Sequence, residues 1–229
     1  MKKSKAECDL QTCFMCKICL KEWLPAIASN RQTFEVKKGE RFLEEGERLT
    51  GIYFVFNGVV KVHKKWGDKE LIIRFASKGA IIGHRGLGTN TKFYPISATA
   101  LEPSTVCFIP IEFFTSTLKV NNEFTYNLML FFADELQESE RKMRNQVHLS
   151  VKGRVAQALI NLKDQFGISD DGDLLLSLTR QDLASYAGAT YETVFRMMNE
   201  LKEEKSLDVI GKTIRILDLE KLAIHTKVL

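Results

Sequence analysis

The stretch Thr179 to Leu201, TRQDLASYAGATYETVFRMMNEL, constrains this chain more than any other. Thr179 stands three residues before Asp182, close to a capping box, which predicts a helix start. Leu183, Ala184 and Ala187 can form that helix's inner face, and Gly188 suits the left-handed residue that ends it. Thr190 can cap a second helix through the backbone N–H of Glu192 or Thr193. On that helix Val194, Met197, Met198 and Leu201 fall at i, i+3, i+4 and i+7, one buried stripe. Its other side carries Tyr191, Glu192, Phe195, Arg196 and Asn199. Arg can pair with guanine, Glu can accept from cytosine N4, and an apolar group can touch a thymine methyl, so this face suits a major groove. The alternative is an ordinary helical hairpin with a solvated face.

The segment C-terminal to the second helix favours the groove. Leu207 to Ile210, Gly211-Lys212-Thr213 and Ile214 to Leu217 read as a hairpin, and a hairpin directly after a helix-turn-helix is a wing. Lys202, Lys205, Lys212, Thr213 and Arg215 would then be available for phosphates. The net charge of +4 permits nucleic-acid binding without requiring it. The region after Val151 is close to neutral, so any phosphate-binding surface must be local. Upstream, Gly153 to Phe166 reads as an amphipathic helix and Leu174 to Leu178 as a short strand.

Asn122 to about Val147 has neither Pro nor Gly and is rich in helix formers. Met129, Phe132, Leu136, Ser139, Met143 and Gln146 follow a 3-4 spacing, a heptad seam suited to a second copy of the same helix. Leu128 and Phe131 widen the apolar face toward the preceding region. From about Phe34 to Ile109 the chain reads as short strands, which argues for a small sandwich or barrel. Asn57-Gly58 and Gly67-Asp68 are tight hairpin signals, and Ile96 to Ile109 reads as a strand pair turning at Glu102-Pro103. The glycine-rich run from Gly79 to Gly88 lacks the lysine and hydroxyl of a phosphate loop. Within it Arg85 could meet an anion, and His84 reads as a polar loop residue. No nucleophile arrangement is recognisable, so the chain is not expected to be an enzyme.

Five cysteines remain, four of them, Cys8, Cys13, Cys16 and Cys19, within a dozen residues. Cys13, Cys16 and Cys19 make C-x2-C-x2-C, the local part of a bacterial ferredoxin cluster motif, whose fourth thiolate comes from farther along. Cys8 and Cys107 are the candidates for it. No second C-x2-C pair is present to complete the usual zinc pattern. No apolar run is long enough to span a membrane, and no secretory signal is legible, so a cytoplasmic location is expected.

The order of cysteines, barrel, long helix and winged helix-turn-helix resembles the CRP/FNR family of bacterial transcription regulators over nearly the whole chain. The turn residues Gly39, Gly46 and Gly58 and the segment Glu192-Thr193-Val194-Phe195-Arg196, similar to the family's E-T-x-x-R core, carry the resemblance. It implies an α+β fold with a cysteine-rich segment over 1–21. A jelly-roll barrel like a cyclic-nucleotide-binding domain would cover 22–120, a dimerisation helix 121–148, and a winged helix-turn-helix 149–229. It also implies a homodimer that reads a TGA-containing palindrome through Glu192 and Arg196, with RNA polymerase as partner. Phe195 departs from the small residue usual there. Gly83-His84 stands where the cyclic-nucleotide branch has Gly-Glu, and Tyr94-Pro95 where it has an arginine pair, so no cAMP binding is expected. The surroundings of Cys107 are similar to those of the internal cysteine in the FNR branch. A [4Fe–4S] cluster on Cys13, Cys16, Cys19 and Cys107, with Cys8 as substitute, is therefore expected, and with it sensing of oxygen or nitric oxide. The alternatives are the same regulator gated by haem or another small ligand, or by a thiol switch.

Overall fold

A computed structural model describes residues 1–89 and 92–227. By internal contacts the chain divides into two compact units, Met1–Leu136 and Gln137–Leu229. The division falls inside a long helix.

The first unit opens with β1 (Lys2–Ser4), an irregular segment bearing four cysteines, a 3-10 turn (Lys21–Trp23) and α1 (Leu24–Asn30). Eight strands follow: β2 (Gln32–Val36), β3 (Arg41–Leu43), β4 (Gly51–Asn57), β5 (Val60–Trp66), β6 (Lys69–Ala76), β7 (Ile81–Ile82), β8 (Ser97–Ala100) and β9 (Ser104–Pro110). With β1 they form two antiparallel sheets, one in the order β1-β2-β9-β4-β7 and one in the order β3-β8-β5-β6. The Gly67-Asp68 turn joins paired strands, β5 and β6. The other two expected hairpins are corrected. Strands β4 and β5, joined through Asn57-Gly58, lie in different sheets, as do β8 and β9, joined through Glu102-Pro103. Both turns are corners where a jelly roll passes from sheet to sheet, and local turn chemistry does not distinguish a corner from a hairpin.

The alternation within β4 explains where the core sits. Tyr53 and Val55 face the space between the sheets, with Val36, Val60, Val62, Ala98 and Val106. Ile52 and Phe54 face the opposite side, with Cys107 and Ile109 of β9. That outer face is covered by the cysteine segment, by Phe114 of α2 (Ile111–Val120) and by Phe124 and Leu128 of α3 (Asn122–His148). Because the sheet is buried on both faces, β4 is apolar at almost every position.

Along α3 the expected seam residues separate. Met129, Leu136, Ser139 and Met143 are exposed, but Phe132 is half-buried with its ring edge-on to His84 at 5.4 Å. Gln146 is exposed yet donates from Nε2 to the Gly188 carbonyl at 3.1 Å. The exposed stripe instead follows Met129, Ala133, Leu136, Glu140, Met143 and Val147. The same heptad spacing fits both sets, and the sequence contains nothing that fixes the rotation of the helix by a fraction of a turn.

In the second unit α4 (Val151–Phe166), α5 (Arg180–Ala187), α6 (Tyr191–Glu203), the hairpin β10–β11 (Leu207–Ile210, Thr213–Ile216) and α7 (Leu219–Ile224) follow in order. Leu174 to Leu178 is not a strand: isolated bridges at Asp173 and Leu174 are all the pairing it makes. No helix among the described residues is long and apolar enough to cross a membrane.

Candidate cysteine centre and nucleic-acid interface

The cysteine segment is wound by its own backbone. Lys17 N–H donates to the Cys13 carbonyl and Cys19 N–H to the Met15 carbonyl, at 3.1 and 3.0 Å. The Asp9 carboxylate accepts from the Gln11 and Thr12 N–H groups at 3.0 and 3.3 Å and pairs with Lys78 at 2.7 Å. Phe14 N–H donates to the Gly79 carbonyl at 3.1 Å. Gly79 is required twice over: its φ is +87°, and a Cβ there would stand 2.3 Å from the Thr12 carbonyl oxygen.

This winding brings together a different set of thiols from the expected one. The sulfurs of Cys8, Cys13 and Cys16 all lie within 4.8 Å of one another, and Cys8 Sγ to Cys16 Sγ is 3.3 Å. Cys107 of β9 lines a small pocket together with Cys8 and Cys13, and its Sγ lies 3.9 Å from Thr33 Oγ1. Cys19, expected with Cys13 and Cys16, stands outside the group, and Cys8, expected as a substitute, stands inside it. In a helical turn each step of three residues rotates the side chain by about 60°. Cys13 and Cys16 therefore share a face, and Cys19 turns into the apolar layer, where burial pushes its thiol up to about 12.

The electrostatics of the group follow from shared protons. Cys13 is held down to about 3 by hydrogen bonds from Cys16 and Cys8. Cys107 is drawn down to about 7, first by the Cys8 hydrogen bond, against burial. The donors Cys8 and Cys16 are pushed up, Cys8 chiefly by Cys107 and Cys16 chiefly by Cys13. Four soft donors, none a carboxylate or imidazole, make a set suited to an iron–sulfur group or another thiophilic metal.

Beside Cys13, Phe14 packs on the long helix, with ring centroids 6.0 Å from Phe124 and 5.2 Å from Phe131. His84 lies edge-on to Phe131 at 5.1 Å and is fully buried, not a solvated loop residue. Arg85 is not free for an anion: its Nη2 donates to Glu135 of α3 at 2.6 Å, and Arg74 Nε lies 3.7 Å from the same carboxylate. Burial pushes Glu135 up, but His84, Arg74 and Arg85 together outweigh it and hold the carboxyl far below its ordinary range. Burial keeps His84 low, that is, neutral. Neither Phe14 nor Glu135 carried a sequence signal, since each depends on a partner far along the chain.

The second candidate site rests on two capped helices. Thr179 Oγ1 accepts from the Asp182 N–H at 3.0 Å, Thr190 Oγ1 accepts from the Thr193 N–H at 3.3 Å, and Gly188 is left-handed at φ +64°. Val194, Met197, Met198 and Leu201 are buried, while Tyr191, Glu192, Phe195, Arg196 and Asn199 are exposed on α6. Lys212 is exposed in the two-residue turn of the wing. Two of the expected phosphate contacts are engaged within the chain. Lys202 pairs with Asp208 at 2.6 Å, and Arg215 makes a bidentate pair with Asp173 at 2.7 and 3.0 Å, which braces the wing against the preceding loop. Arg154 of α4 had no sequence signal. It donates to the carbonyls of Ala187 and Gly188 at 3.1 and 3.3 Å and to that of Gln146 at 3.2 Å, which satisfies the open C-terminal end of α5.

Comparison with known proteins agrees with both halves. The Cyclic nucleotide-binding domain family matches residues 33–121, and the Crp-like helix-turn-helix domain family matches residues 153–224. The cAMP-activated global transcriptional regulator CRP of Escherichia coli is 30% identical over 177 residues, 75% of this chain and 83% of that protein. The chain belongs to the CRP/FNR family of transcription regulators. The transcriptional activator protein FnrA of Stutzerimonas stutzeri is 28% identical over 187 residues, 80% of this chain and 75% of that protein. FixK2 from Bradyrhizobium japonicum has the same fold, with a TM-score of 0.75 at 22% identity, covering 87% of this chain and 98% of that one. As a CRP/FNR regulator the chain is a DNA-binding transcription regulator and not an enzyme, and regulators of this family act as dimers.

Proposed function

We propose that this regulator senses redox state through a [4Fe–4S] cluster held by Cys8, Cys13, Cys16 and Cys107, and that as a homodimer it reads a TGA-containing inverted repeat. The observation that carries the reading is the clustering of the Cys8, Cys13 and Cys16 sulfurs within 4.8 Å of one another, with Cys107 of β9 lining a small pocket together with Cys8 and Cys13. When bound, such a cluster supplies a centre that reacts with oxygen or nitric oxide. The chain's own residues do the rest. The cysteine segment positions Phe14 against Phe124 and Phe131, so the state of the thiols bears directly on α3. The exposed stripe Met129, Ala133, Leu136, Glu140, Met143 and Val147 would pair with its copy, a seam weakened by Glu140 and therefore suited to switching. Glu192 and Arg196 would read base edges, Tyr191, Phe195 and Asn199 would share that face, and Lys212 would meet a phosphate. RNA polymerase is the proposed partner at the promoter.

Gating by cAMP is disfavoured by two residues of the barrel. Tyr94 stands where the cyclic-nucleotide branch has the first residue of its arginine pair, is buried, and uses its hydroxyl on the backbone of Gly51, donating to the carbonyl at 2.7 Å and accepting from the N–H at 3.2 Å. His84 replaces the acid and is equally enclosed. Anaerobic purification followed by iron and sulfide analysis tests the main reading. A colourless, iron-free protein that binds its operator under strict anaerobiosis would overturn it. Zinc in place of iron would point to a single tetrahedral ion on the same four thiols. A second reading, a thiol switch, is favoured by the 3.3 Å approach of Cys8 to Cys16. It predicts a reversible disulfide between those two in metal-free protein, detectable by peptide mapping.

A further inference from the structure

The exposed face of α6 carries an arrangement that a solvated surface does not need. Tyr191 and Phe195, one turn apart, stack with centroids 6.4 Å apart and planes 7° from parallel. Arg180, the first residue of α5, lays its guanidinium over the Phe195 ring, 4.9 Å from the centroid. Both rings remain 40% exposed. Arg180 has no carboxylate partner among the described residues, so its charge is left over for something outside the chain. Cation–π contact and stacking fix the ring's orientation and remove the rotamer freedom that an exposed Phe otherwise keeps. A phenyl group presented in this way is complementary to an apolar group, and the major groove offers one such group, the C5-methyl of thymine. Glu192, Arg196 and Asn199, which flank the ring on the same face, are hydrogen-bonding groups and suit base edges better than an apolar protein surface.

We infer that Phe195, clamped between Tyr191 and Arg180, reads a thymine methyl in each half-site, with the free N–H edges of Arg180 directed at the neighbouring phosphate. This rests on α6 being the DNA-reading helix. The full-length protein, prepared anaerobically, is used to select a palindrome from a random duplex library, and each thymine of a half-site is then replaced in turn by deoxyuridine, which removes only the methyl. At one position per half-site the replacement is expected to weaken binding about fourfold, and about fifteenfold when made in both, as burial of one methyl-sized group would give. Phe195→Ala should bind the thymine and uracil operators equally, whereas Phe195→Leu should keep part of the discrimination. Arg180→Gln should reduce the discrimination and also lower the salt dependence. Indifference to uracil at every position, or unchanged discrimination in Phe195→Ala protein of normal thermal stability, would overturn the inference. Failure to enrich any sequence would instead remove the DNA-reading role of α6, and this inference with it.

Discussion

The two candidate sites distribute burial in opposite ways. At the cysteine centre Cys13, Cys16 and Cys107 are 7, 5 and 4% exposed, and the sulfurs of Cys8, Cys13 and Cys16 lie within 4.8 Å of one another. On α6 the side chains that matter are exposed, and one helix supplies nearly all of them. A site assembled from separated segments is collective: each member positions the others, and losing one disables the set. A site on one helix face is a row of separate readers, each removable at its own cost.

Substitutions can break or sharpen that contrast. The largest effect should come from Cys13→Ser or Cys107→Ser, each expected to abolish metal retention, while Cys19→Ser should retain it; metal content after anaerobic purification checks all three. Loss of metal in Cys19→Ser protein would restore the C-x2-C-x2-C assignment. Next, Glu135→Gln leaves Arg74 and Arg85 without their counter-charge and should destabilise the first unit by about 3 kcal/mol in chemical denaturation. The same carboxylate has a pH signature. Its folded pKa lies below the unfolded value, so its contribution is complete above about pH 5 and fades as pH falls. Wild-type protein should therefore lose stability on acidification more steeply than Glu135→Gln. On α6, Arg196→Ala should cost roughly 1–3 kcal/mol and relax preference at one G·C pair, read by competition among operators. Smallest of all, Lys212→Ala should weaken every sequence alike and lower the salt slope by about one.

The same contrast governs what could be read in the chain. The helix-turn-helix rests on Thr179, Gly188 and Thr190, whose signals act over three or four residues, and all three occupy the expected positions. The wing turn is equally local. Errors arose wherever the deciding partner was distant. Cys19 completes C-x2-C-x2-C and Cys8 does not, yet the winding of the cysteine segment brings Cys8, not Cys19, beside Cys13 and Cys16. Asn57-Gly58 has the same turn chemistry whether the next strand pairs with β4 or crosses to the other sheet. Gln146 reads as a seam residue and Arg215 as a phosphate contact because Gly188 and Asp173, their partners, are more than a helix length away. Leu174 to Leu178 has the composition of a strand, but its pairing stops at isolated bridges at Asp173 and Leu174.

The cysteine segment is pinned at both ends. Before it, β1 pairs with β2, and the Thr33 hydroxyl donates to the Ala6 carbonyl at 3.2 Å. After it, Leu20 N–H donates to Asn121 Oδ1 at 2.9 Å, and Trp23 Nε1 donates to Thr117 Oγ1 at 3.0 Å while stacking on Phe113. Releasing whatever the thiols hold would therefore free a short loop, not a tail. Cys8, Cys13 and Cys16 would stay near Cys107 at an effective concentration on the order of millimolar. Closure of the thiol set is then an encounter within one molecule, at a rate that dilution of the protein leaves unchanged, whereas re-pairing of the α3 seam would slow on dilution.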